Sequence, residues 1–377
     1  MMSWKSSGAG RSNNFDFLRF ALATLVIYSH SFDLTQHGNR EPLRQLSHGQ
    51  LTFGELAVDM FFVMSGFLIT YSWTRSKHLF DFLQKRVLRI YPAFIVAVAL
   101  GVFVLGPIGV PGKFQVNVSQ WLLGTVNLRG YSPPNIFAHN PAPGVLNGSL
   151  WSIPYEFWCY IGVAILGMCA LLKFPKLVLG IFLFSIVVSV GFASHPQFRP
   201  GGGRVFAVLF GNPPFWARLL PYYLAGVVFF LWRDRIPVSF WLAALSAALI
   251  AFSFYVPNPL GLRLPGIGVS MLFPIAATYL IFYLAYLPIP GLSHWARFGD
   301  FSYGMYLYAF PIQQWILMSH PMLAPERVFL LAAPATLVAA VASWHLVERP
   351  FLSMKRRPAR QLPDARVHGH AKIAQAA

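Results

Sequence analysis

An arginine and a histidine lie inside the first long apolar segment of the chain, FLRFALATLVIYSH, where membrane helices rarely carry either residue. Arg19 and His30 are eleven residues apart. A helix turns by about 100° and rises about 1.5 Å per residue, so both side chains would lie on one face, about 16 Å apart along the axis. A guanidinium can bind an anion, and a neutral imidazole can accept a proton as a general base. The pair is therefore a candidate catalytic site within a membrane.

A carboxylate follows the histidine at a spacing that could orient it. Asp33 lies three residues after His30, and residues at i and i+3 meet on the surface of a helix. A carboxylate that accepts one imidazole N–H would leave the other nitrogen free as the base. The alternative is that His30 only ends the helix and hydrogen-bonds to backbone or water. Arg19 on the same face and Asp33 within reach favour catalysis.

Two further apolar segments contain acidic residues that need partners. Glu55 and Asp59 are one helical turn apart and repel each other, so at least one is predicted to have a cationic partner or a hydrogen-bond donor. A paired-carboxylate acid–base device and the neutralisation of a buried arginine are both open at this stage. Glu156 is the only acid in LWSIPYEFWCY, and an unpaired carboxylate at that depth is costly. The small residues Ser65 and Gly66 are predicted to allow close helix packing.

A basic cluster in the stretch KRVLRIYP is suited to an anionic ligand. Arg86 and Arg89, at i and i+3, present a two-pronged donor surface that fits phosphate groups. The ring of Tyr91 could contact a nucleotide base or a pantetheine chain. Anchoring at the membrane interface explains any single arginine here, but five basic residues between positions 75 and 89 favour an anionic ligand.

The elements that must position these residues are membrane helices. The chain has 377 residues, of which 56% are hydrophobic and 11% are charged, against about 25% charged in soluble domains. Its mean hydropathy is +0.55. Apolar segments of spanning length lie at 15–33, 53–74, 90–106, 150–172, 176–194, 215–232, 237–256, 264–287, 301–320 and 327–347. The sequence thus predicts an all-α membrane protein, a bundle of about ten transmembrane helices.

Charge predicts the orientation and the partners of this bundle. The formal net charge is +17, and most basic residues lie in alternate links between the spans, as the positive-inside rule requires when both termini are cytoplasmic. We therefore expect membrane lipids as partners and no nucleic acid. The predicted domains are a cytoplasmic segment at 1–14, a transmembrane domain at 15–352 and a basic, disordered cytoplasmic tail at 353–377. The N-terminus lacks a signal-peptide cleavage pattern, so the first span is expected to stay in the mature protein.

Other features of the chain predict structure more than chemistry. Cys159 and Cys169 lie in one helical segment, too far apart for a disulfide and without other metal ligands, so no metal site is predicted. The link 107–149 is rich in Pro, Gly and Asn and is expected to be an irregular loop that covers or lines a cavity. The stretch RPGGGR at 199–204 fits a flexible loop better than a phosphate cradle, because it lacks the P-loop spacing.

Six motifs together resemble the acyltransferase 3 family of integral membrane acyltransferases, which O-acetylate bacterial surface polysaccharides and related glycans. The matching features, in order over roughly residues 15–352, are Arg19 with His30, FFVMSGFLI at 61–69, RVLRIYP at 86–92, LWSIPYEFWCY at 150–160, FGDFSYGMYLYAFP at 298–311 and VERPF at 347–351. IPYEF at 153–157 departs from the family pattern, which has a shorter polar residue followed by paired acids.

The resemblance implies ten membrane helices in the bacterial inner membrane, with acetyl-CoA or another acyl-CoA as the cytoplasmic co-substrate. The acceptor would be a hydroxyl of a carbohydrate or glycolipid, and the chain would be the stand-alone form without an appended hydrolase-type domain. By family motif, His30 would be the catalytic base and Arg19 would hold or orient the donor. Arg86 and Arg89 would meet the phosphates of coenzyme A, and Glu156 would belong to the polar core.

Residue spacing and family resemblance together predict that His30 removes the proton of the acceptor hydroxyl, oriented by Asp33 or Glu156. An acyl-histidine intermediate is an open alternative to direct transfer. The acceptor, the acyl group and the oligomeric state are also open. The competing function is a transporter or flippase of an anionic or glycan substrate. Such carriers are built from inverted repeats with interrupted helices, and the sequence shows no such symmetry.

Overall fold

The computed structural model describes residues 13–195, 203–255, 267–289 and 291–354. Within these ranges every regular element is a helix, which confirms the all-α prediction there. Its ten longest helices are α1 (Phe15–Leu34), α2 (Phe53–Thr74), α3 (Leu79–Leu100), α4 (Ile153–Met168), α5 (Pro175–Ser194), α6 (Pro213–Trp232), α7 (Phe240–Tyr255), α8 (Ile267–Tyr286), α9 (Ser302–Ser319) and α10 (Pro325–Ser343). Most of the predicted segments 1–14 and 353–377, and most of RPGGGR, lie outside the described residues.

Each of the ten predicted segments overlaps one of these helices. Six helical stretches are long and apolar enough to cross a membrane: Phe53–Thr74, Leu79–Gly109, Pro175–Ser194, Phe206–Trp232, Ile267–Tyr286 and Pro325–Ser353. The helices α4 and α7 have 16 residues each, short of a full span. The count of ten spans and the cytoplasmic position of both ends stay predictions.

Helix α1, which carries charged residues, packs against three other long helices. Helix α1 carries Asp16, Arg19 and Asp33, which lower its hydropathy, and it packs against α2, α9 and α10. Charged residues in membrane helices face the interior of a bundle because lipid cannot solvate them. The packing of α1 turns Arg19 towards Asp300, whereas Asp33 near the end of the helix is exposed.

Helices α2 and α6 approach each other through paired glycines. A Cβ atom added to Gly66 would lie 2.0 Å from the carbonyl oxygen of Tyr223, and one added to Gly226 would lie 2.0 Å from that of Val63. Only glycine permits such backbone contact, so the packing role predicted for Gly66 is confirmed. The contact fixes α6 beside α2, which carries Glu55 and Asp59.

Helix α3 begins earlier than its predicted span of 90–106. The ring of His78 accepts a hydrogen bond from the backbone N–H of Asp81, and Asp81 pairs with Lys85 one turn later. These local contacts start the helix at Leu79, and Pro92 lies inside it instead of at its beginning. The hydropathy pattern missed this first half because its charged residues interrupt the apolar run. Arg86 and Arg89 consequently lie on the body of a helix.

The link 107–149 is mostly irregular, as predicted, apart from short helices at Gly106–Gly109 and Val118–Val126. Buried Gln314 of α9 donates hydrogen bonds to the carbonyl oxygens of Ala142 and Val145, and Asn147 donates to that of Leu307. These contacts attach the link to α9. A 3-10 helix at Gly148–Ser152 follows and leads directly into α4.

Candidate active site

Asp300, just before α9, joins three elements through ion pairs and hydrogen bonds. One of its carboxylate oxygens lies 2.7 Å from Nη1 of Arg19 on α1 and 2.5 Å from Nη2 of Arg89 on α3. The other oxygen accepts hydrogen bonds from the backbone and hydroxyl of Ser302. Burial alone would raise the pKa of Asp300, but the two guanidinium groups outweigh it and hold this pKa below the usual range. Asp300 is therefore ionised at neutral pH.

Arg89 has a second carboxylate partner. Its Nη1 atom lies 3.5 Å from Oε2 of Glu348, which follows α10 and is 2% exposed. The guanidinium of Arg89 is held between two carboxylates from distant parts of the chain.

A cavity of about 260 Å³, here called the arginine cavity, lies beside these ion pairs. It is lined by Arg19, Phe61, Met64, Ser65, Leu68, Ile69, Arg86, Arg89, Glu156, Tyr160, Asp300 and Leu352. Arg86 has no ion-pair partner among the described residues. Its Nη2 atom donates to the hydroxyl of Ser72 at 3.2 Å, and its Nε atom is buried without a hydrogen-bond partner. Among the described residues, Arg86 is therefore the arginine of this cavity that no carboxylate pairs with.

The structure separates Tyr91 from the three arginines. The hydroxyl of Tyr91 donates to the carbonyl oxygen of Val126 at 2.9 Å, and its ring packs edge-on to Phe157 at 5.7 Å. It does not line the arginine cavity. Among the residues predicted to bind the co-substrate, Arg19, Arg86 and Arg89 come together and Tyr91 lies apart.

Glu156, in the first turn of α4, has the partners that its depth requires. Its Oε1 atom accepts hydrogen bonds from Ser65 at 3.1 Å and from Tyr160 at 2.6 Å. The prediction that this carboxylate is partnered is confirmed, and Ser65 has a polar role in addition to packing. The described hydrogen bonds of Glu156 do not include His30.

His30 lies near the other end of α1. Its Nδ1 atom is 3.4 Å from the hydroxyl of Ser149, and its ring packs edge-on to Phe310 with centroids 5.4 Å apart. Asp33 and His30 line one cavity, which is separate from the arginine cavity. Within the described residues, however, the hydrogen-bonding partner of His30 is Ser149. Sequence reasoning missed Ser149. The Asn-Gly-Ser turn before the aromatic segment of α4 was its available signal.

A cavity of about 370 Å³, here called the histidine cavity, surrounds His30. One wall holds the rings of Trp151 and Phe215, with centroids 4.7 Å apart. The cavity is also lined by polar side chains from three parts of the chain: Asp33, Arg44, Gln50, Glu55 and Arg218. The cavity thus combines flat apolar rings with hydrogen-bonding groups.

Arg218 of α6 is the cationic partner of the two acidic residues of α2. It lies 2.9 Å from Oε1 of Glu55 and 3.3 Å from Oδ1 of Asp59. The predicted cationic partner is confirmed, and one guanidinium serves both carboxylates. Neutralisation of a buried arginine therefore explains this pair better than an acid–base device.

A third, smaller cavity of about 50 Å³ lies between the other two, and we call it the middle cavity. It shares Tyr306 with the histidine cavity and Arg19 and Glu156 with the arginine cavity. Arg19 and His30 both line this row of three cavities, as their common helical face predicts. The row runs from unpaired Arg86 at one end to His30 at the other.

Comparisons with known proteins agree with the geometry. A family model described as an acyltransferase domain, acyltransferase 3, matches residues 12–345. An O-acetyl transferase of Shigella phage Sf6 is 30% identical over 350 residues, covering 91% of this chain and 97% of the relative. Nodulation protein 10 of Rhizobium leguminosarum bv. viciae is 27% identical over 380 residues, covering 92% and 95%. No solved structure matched the chain. The chain therefore belongs to the acyltransferase 3 family and is a multi-pass membrane enzyme of the O-acetyltransferase type.

Proposed function

We propose that the protein moves an acyl group, acetyl in the simplest case, from cytoplasmic acyl-CoA to a hydroxyl of a cell-surface or lipid-linked carbohydrate, in the inner membrane of a bacterium. The observation that carries the proposal is the row of three cavities between Arg86 and His30. Coenzyme A has its phosphates at one end and its thioester at the other. It therefore needs a cationic site well separated from the reaction centre.

On the donor side, Arg86 would make the principal phosphate contact. Arg19 and Arg89 are engaged by Asp300, and Arg89 also by Glu348, so most of their charge is already compensated. Arg86 has no carboxylate partner among the described residues and keeps a free Nε–H. An anion that reached this cavity would supply the charged partner that Arg86 lacks. Arg19, further along the row, would contact the pantetheine arm.

At the other end, His30 would act as the general base. The acceptor hydroxyl attacks the thioester carbonyl carbon, and His30 takes the hydroxyl proton as the new C–O bond forms. The C–S bond then breaks, and the coenzyme A thiolate leaves and takes up a proton. Contact between Nδ1 of His30 and Ser149 holds the ring, which leaves the second ring nitrogen for the proton transfer.

The lining of the histidine cavity favours a sugar as the acceptor. Sugars present flat C–H faces and rims of hydroxyl groups, so they bind aromatic rings together with polar side chains. The rings of Trp151 and Phe215 would contact the C–H faces of the sugar. The side chains of Asp33, Arg44 and Gln50 would hydrogen-bond to its hydroxyl groups. An acceptor bound only by its acyl chains would need a purely apolar wall.

The middle cavity argues against the transporter alternative. Its volume of about 50 Å³ is much smaller than the 260 Å³ and 370 Å³ of the cavities on either side. A thin pantetheine arm can pass a constriction that a glycan cannot. Chemistry at the constriction therefore fits better than passage of the acceptor across the membrane.

Vesicles containing the purified protein test this function. Acetyl-CoA labelled in the acetyl group is supplied together with glycans prepared from cells that lack the protein. We expect the label to appear on the glycan, released by mild base as an ester, and mass spectrometry to locate it. If labelled acetyl-CoA and the full set of surface glycans give no ester above protein-free vesicles, the proposal is wrong.

Replacing Arg86 should weaken donor binding selectively. Loss of a charge-assisted hydrogen bond costs about 1.5–3 kcal/mol, so we expect Arg86→Ala to raise the KM for acetyl-CoA roughly 10- to 100-fold. The KM for the glycan should change little. Lys85→Ala is the matched control, because Lys85 is the preceding cation on α3 but pairs locally with Asp81, away from the cavity. Equal KM values for Arg86→Ala and Lys85→Ala would mean that Arg86 only anchors the helix.

A further inference from the structure

We infer that the hydroxyl groups of Tyr306 and Ser152 form the hydrogen-bond donor site for the thioester carbonyl oxygen during acyl transfer. This inference rests on the proposed function. The two hydroxyls lie 2.6 Å apart, and their residues are 8% and 6% exposed. Tyr306 lines both the histidine cavity and the middle cavity, and Ser152 lines the middle cavity. The pair thus lies where a donor from the arginine cavity would meet an acceptor at His30.

Two elements place this hydroxyl pair one turn away from the histidine. Ser149 and Ser152 belong to one 3-10 helix, in which residues at i and i+3 lie on the same side about 6 Å apart. Tyr306 and Phe310 are likewise one turn apart on α9. His30 contacts Ser149 and Phe310. Ser152 lies one turn from Ser149 on the 3-10 helix, and Tyr306 lies one turn from Phe310 on α9. The contact between Ser152 and Tyr306 is therefore one turn away from His30 on both elements, at the middle cavity.

The hydroxyl groups of Tyr306 and Ser152 together have one O–H donor that their mutual hydrogen bond does not use. Two hydroxyl groups carry two hydrogens, and the bond between them uses one. Neither hydroxyl has another hydrogen-bond partner among the described residues. One O–H group is therefore left to donate to a ligand in the cavity. A buried donor of this kind is costly without a partner, so a carbonyl oxygen placed there would complete its hydrogen bonding.

The chemistry of acyl transfer requires a donor at this position. As the acceptor oxygen bonds to the carbonyl carbon, the π electrons move to the carbonyl oxygen, which becomes an oxyanion while His30 takes the proton. When the C=O bond re-forms, the C–S bond breaks and the thiolate leaves. A donor that points at the oxygen from a buried site binds the oxyanion more strongly than the neutral carbonyl. Tyr306 and Ser152 would therefore raise kcat more than they tighten donor binding.

A purely structural role is the competing interpretation, because the same bond ties α9 to the 3-10 helix. Tyr306→Phe keeps the ring and its packing and removes the hydroxyl. In vesicles supplied with acetyl-CoA and acceptor glycan, we expect kcat to fall by about 10²- to 10³-fold. The KM for acetyl-CoA and the unfolding temperature should stay close to wild type. Ser152→Ala should lower kcat less, because the Tyr306 hydroxyl can still donate.

Tyr308→Phe is the matched control, since its hydroxyl lies 3.5 Å from Ser343 on α10 and does not line the cavities. It should retain wild-type kcat. If Tyr306→Phe keeps kcat within a few-fold of an active wild type, or loses it only in proportion to folded protein, the inference is wrong while the proposed function stands. If the wild-type protein transfers no acyl group, the proposed function fails and the inference fails with it.

Discussion

His30→Ala is expected to lower the rate of acyl transfer by about 10²- to 10⁴-fold, the usual contribution of a positioned general base. His30 lines the histidine cavity, and one ring nitrogen contacts the Ser149 hydroxyl. Alanine removes the base without placing a new charge in the bundle. The amount of protein in the membrane and its unfolding temperature should therefore stay close to wild type, and binding of acetyl-CoA should persist.

His37→Ala is the control for this prediction. His37 lies seven residues further along, contacts Thr35 at 3.2 Å and does not line the histidine cavity. Initial rates with labelled acetyl-CoA compare the two variants at equal amounts of folded protein. Substantial transfer by well-folded His30→Ala would remove the histidine from the mechanism.

The same variant separates the two routes of transfer. An acyl-imidazole is hydrolysed quickly in acid, so the wild-type protein without acceptor is quenched in denaturant at neutral pH and passed at once to mass spectrometry, which would reveal an acyl group on His30 if an acyl-enzyme forms. A modified His30 peptide that disappears in His30→Ala would establish the covalent route. Its absence at every time point, with active transfer when glycan is added, would establish direct attack.

Sequence spacing predicted those features of the site that depend on one helix. The placement of Arg19 and His30 along one row of cavities follows from the helical period alone, and so does the grouping of Arg86 with Arg89. The glycine contact between α2 and α6 was likewise signalled by Gly66 in its small-residue pair. Such features need no knowledge of which helices are neighbours.

The partners of these residues could not be predicted, because they come from distant parts of the chain. Local spacing suggested Asp33 as the partner of His30, whereas the described partner is Ser149, on a 3-10 helix after the long link. The cation beside Glu55 and Asp59 was expected, but only the contact between α2 and α6 identifies it as Arg218. Periodicity within a segment carries no information about the segment opposite.

Asp300 is another residue whose partners come from distant parts of the chain. Its replacement is the change with the largest expected effect on stability. Asp300 is one of twelve acidic residues in the chain, and its sequence context does not identify its partners. In the structure it is the shared partner of Arg19 and Arg89. Removing one partner of a buried ion pair costs about 3–5 kcal/mol, because the remaining charges are left uncompensated. Asp300→Asn should lower the free energy of unfolding by about this amount.

The comparison with a local ion pair makes this prediction specific. Asp81→Asn removes the same charge from an i, i+4 pair with Lys85 on one helix, where about 0.5 kcal/mol is expected. Thermal unfolding in detergent should therefore show a large decrease for Asp300→Asn and almost none for Asp81→Asn. The pKa of Asp300 is lowered, so its stabilisation is complete above the ordinary carboxyl range and is lost only as the pH falls below it. The difference between wild type and Asp300→Asn should therefore shrink as the pH falls below the ordinary carboxyl range.

A double-mutant cycle separates the ion pair from any general loss of packing. Arg19→Gln alone leaves Asp300 with Arg89, and Arg19→Gln combined with Asp300→Asn removes the charge on both sides. If the ion pair provides the stability, the double variant should lose clearly less than the sum of the two single variants. Additive losses would mean that Asp300 stabilises the bundle through its hydrogen bonds to Ser302 at the start of α9. The three helices would then be held together by packing, with the arginines of the cavity left free to bind an anion.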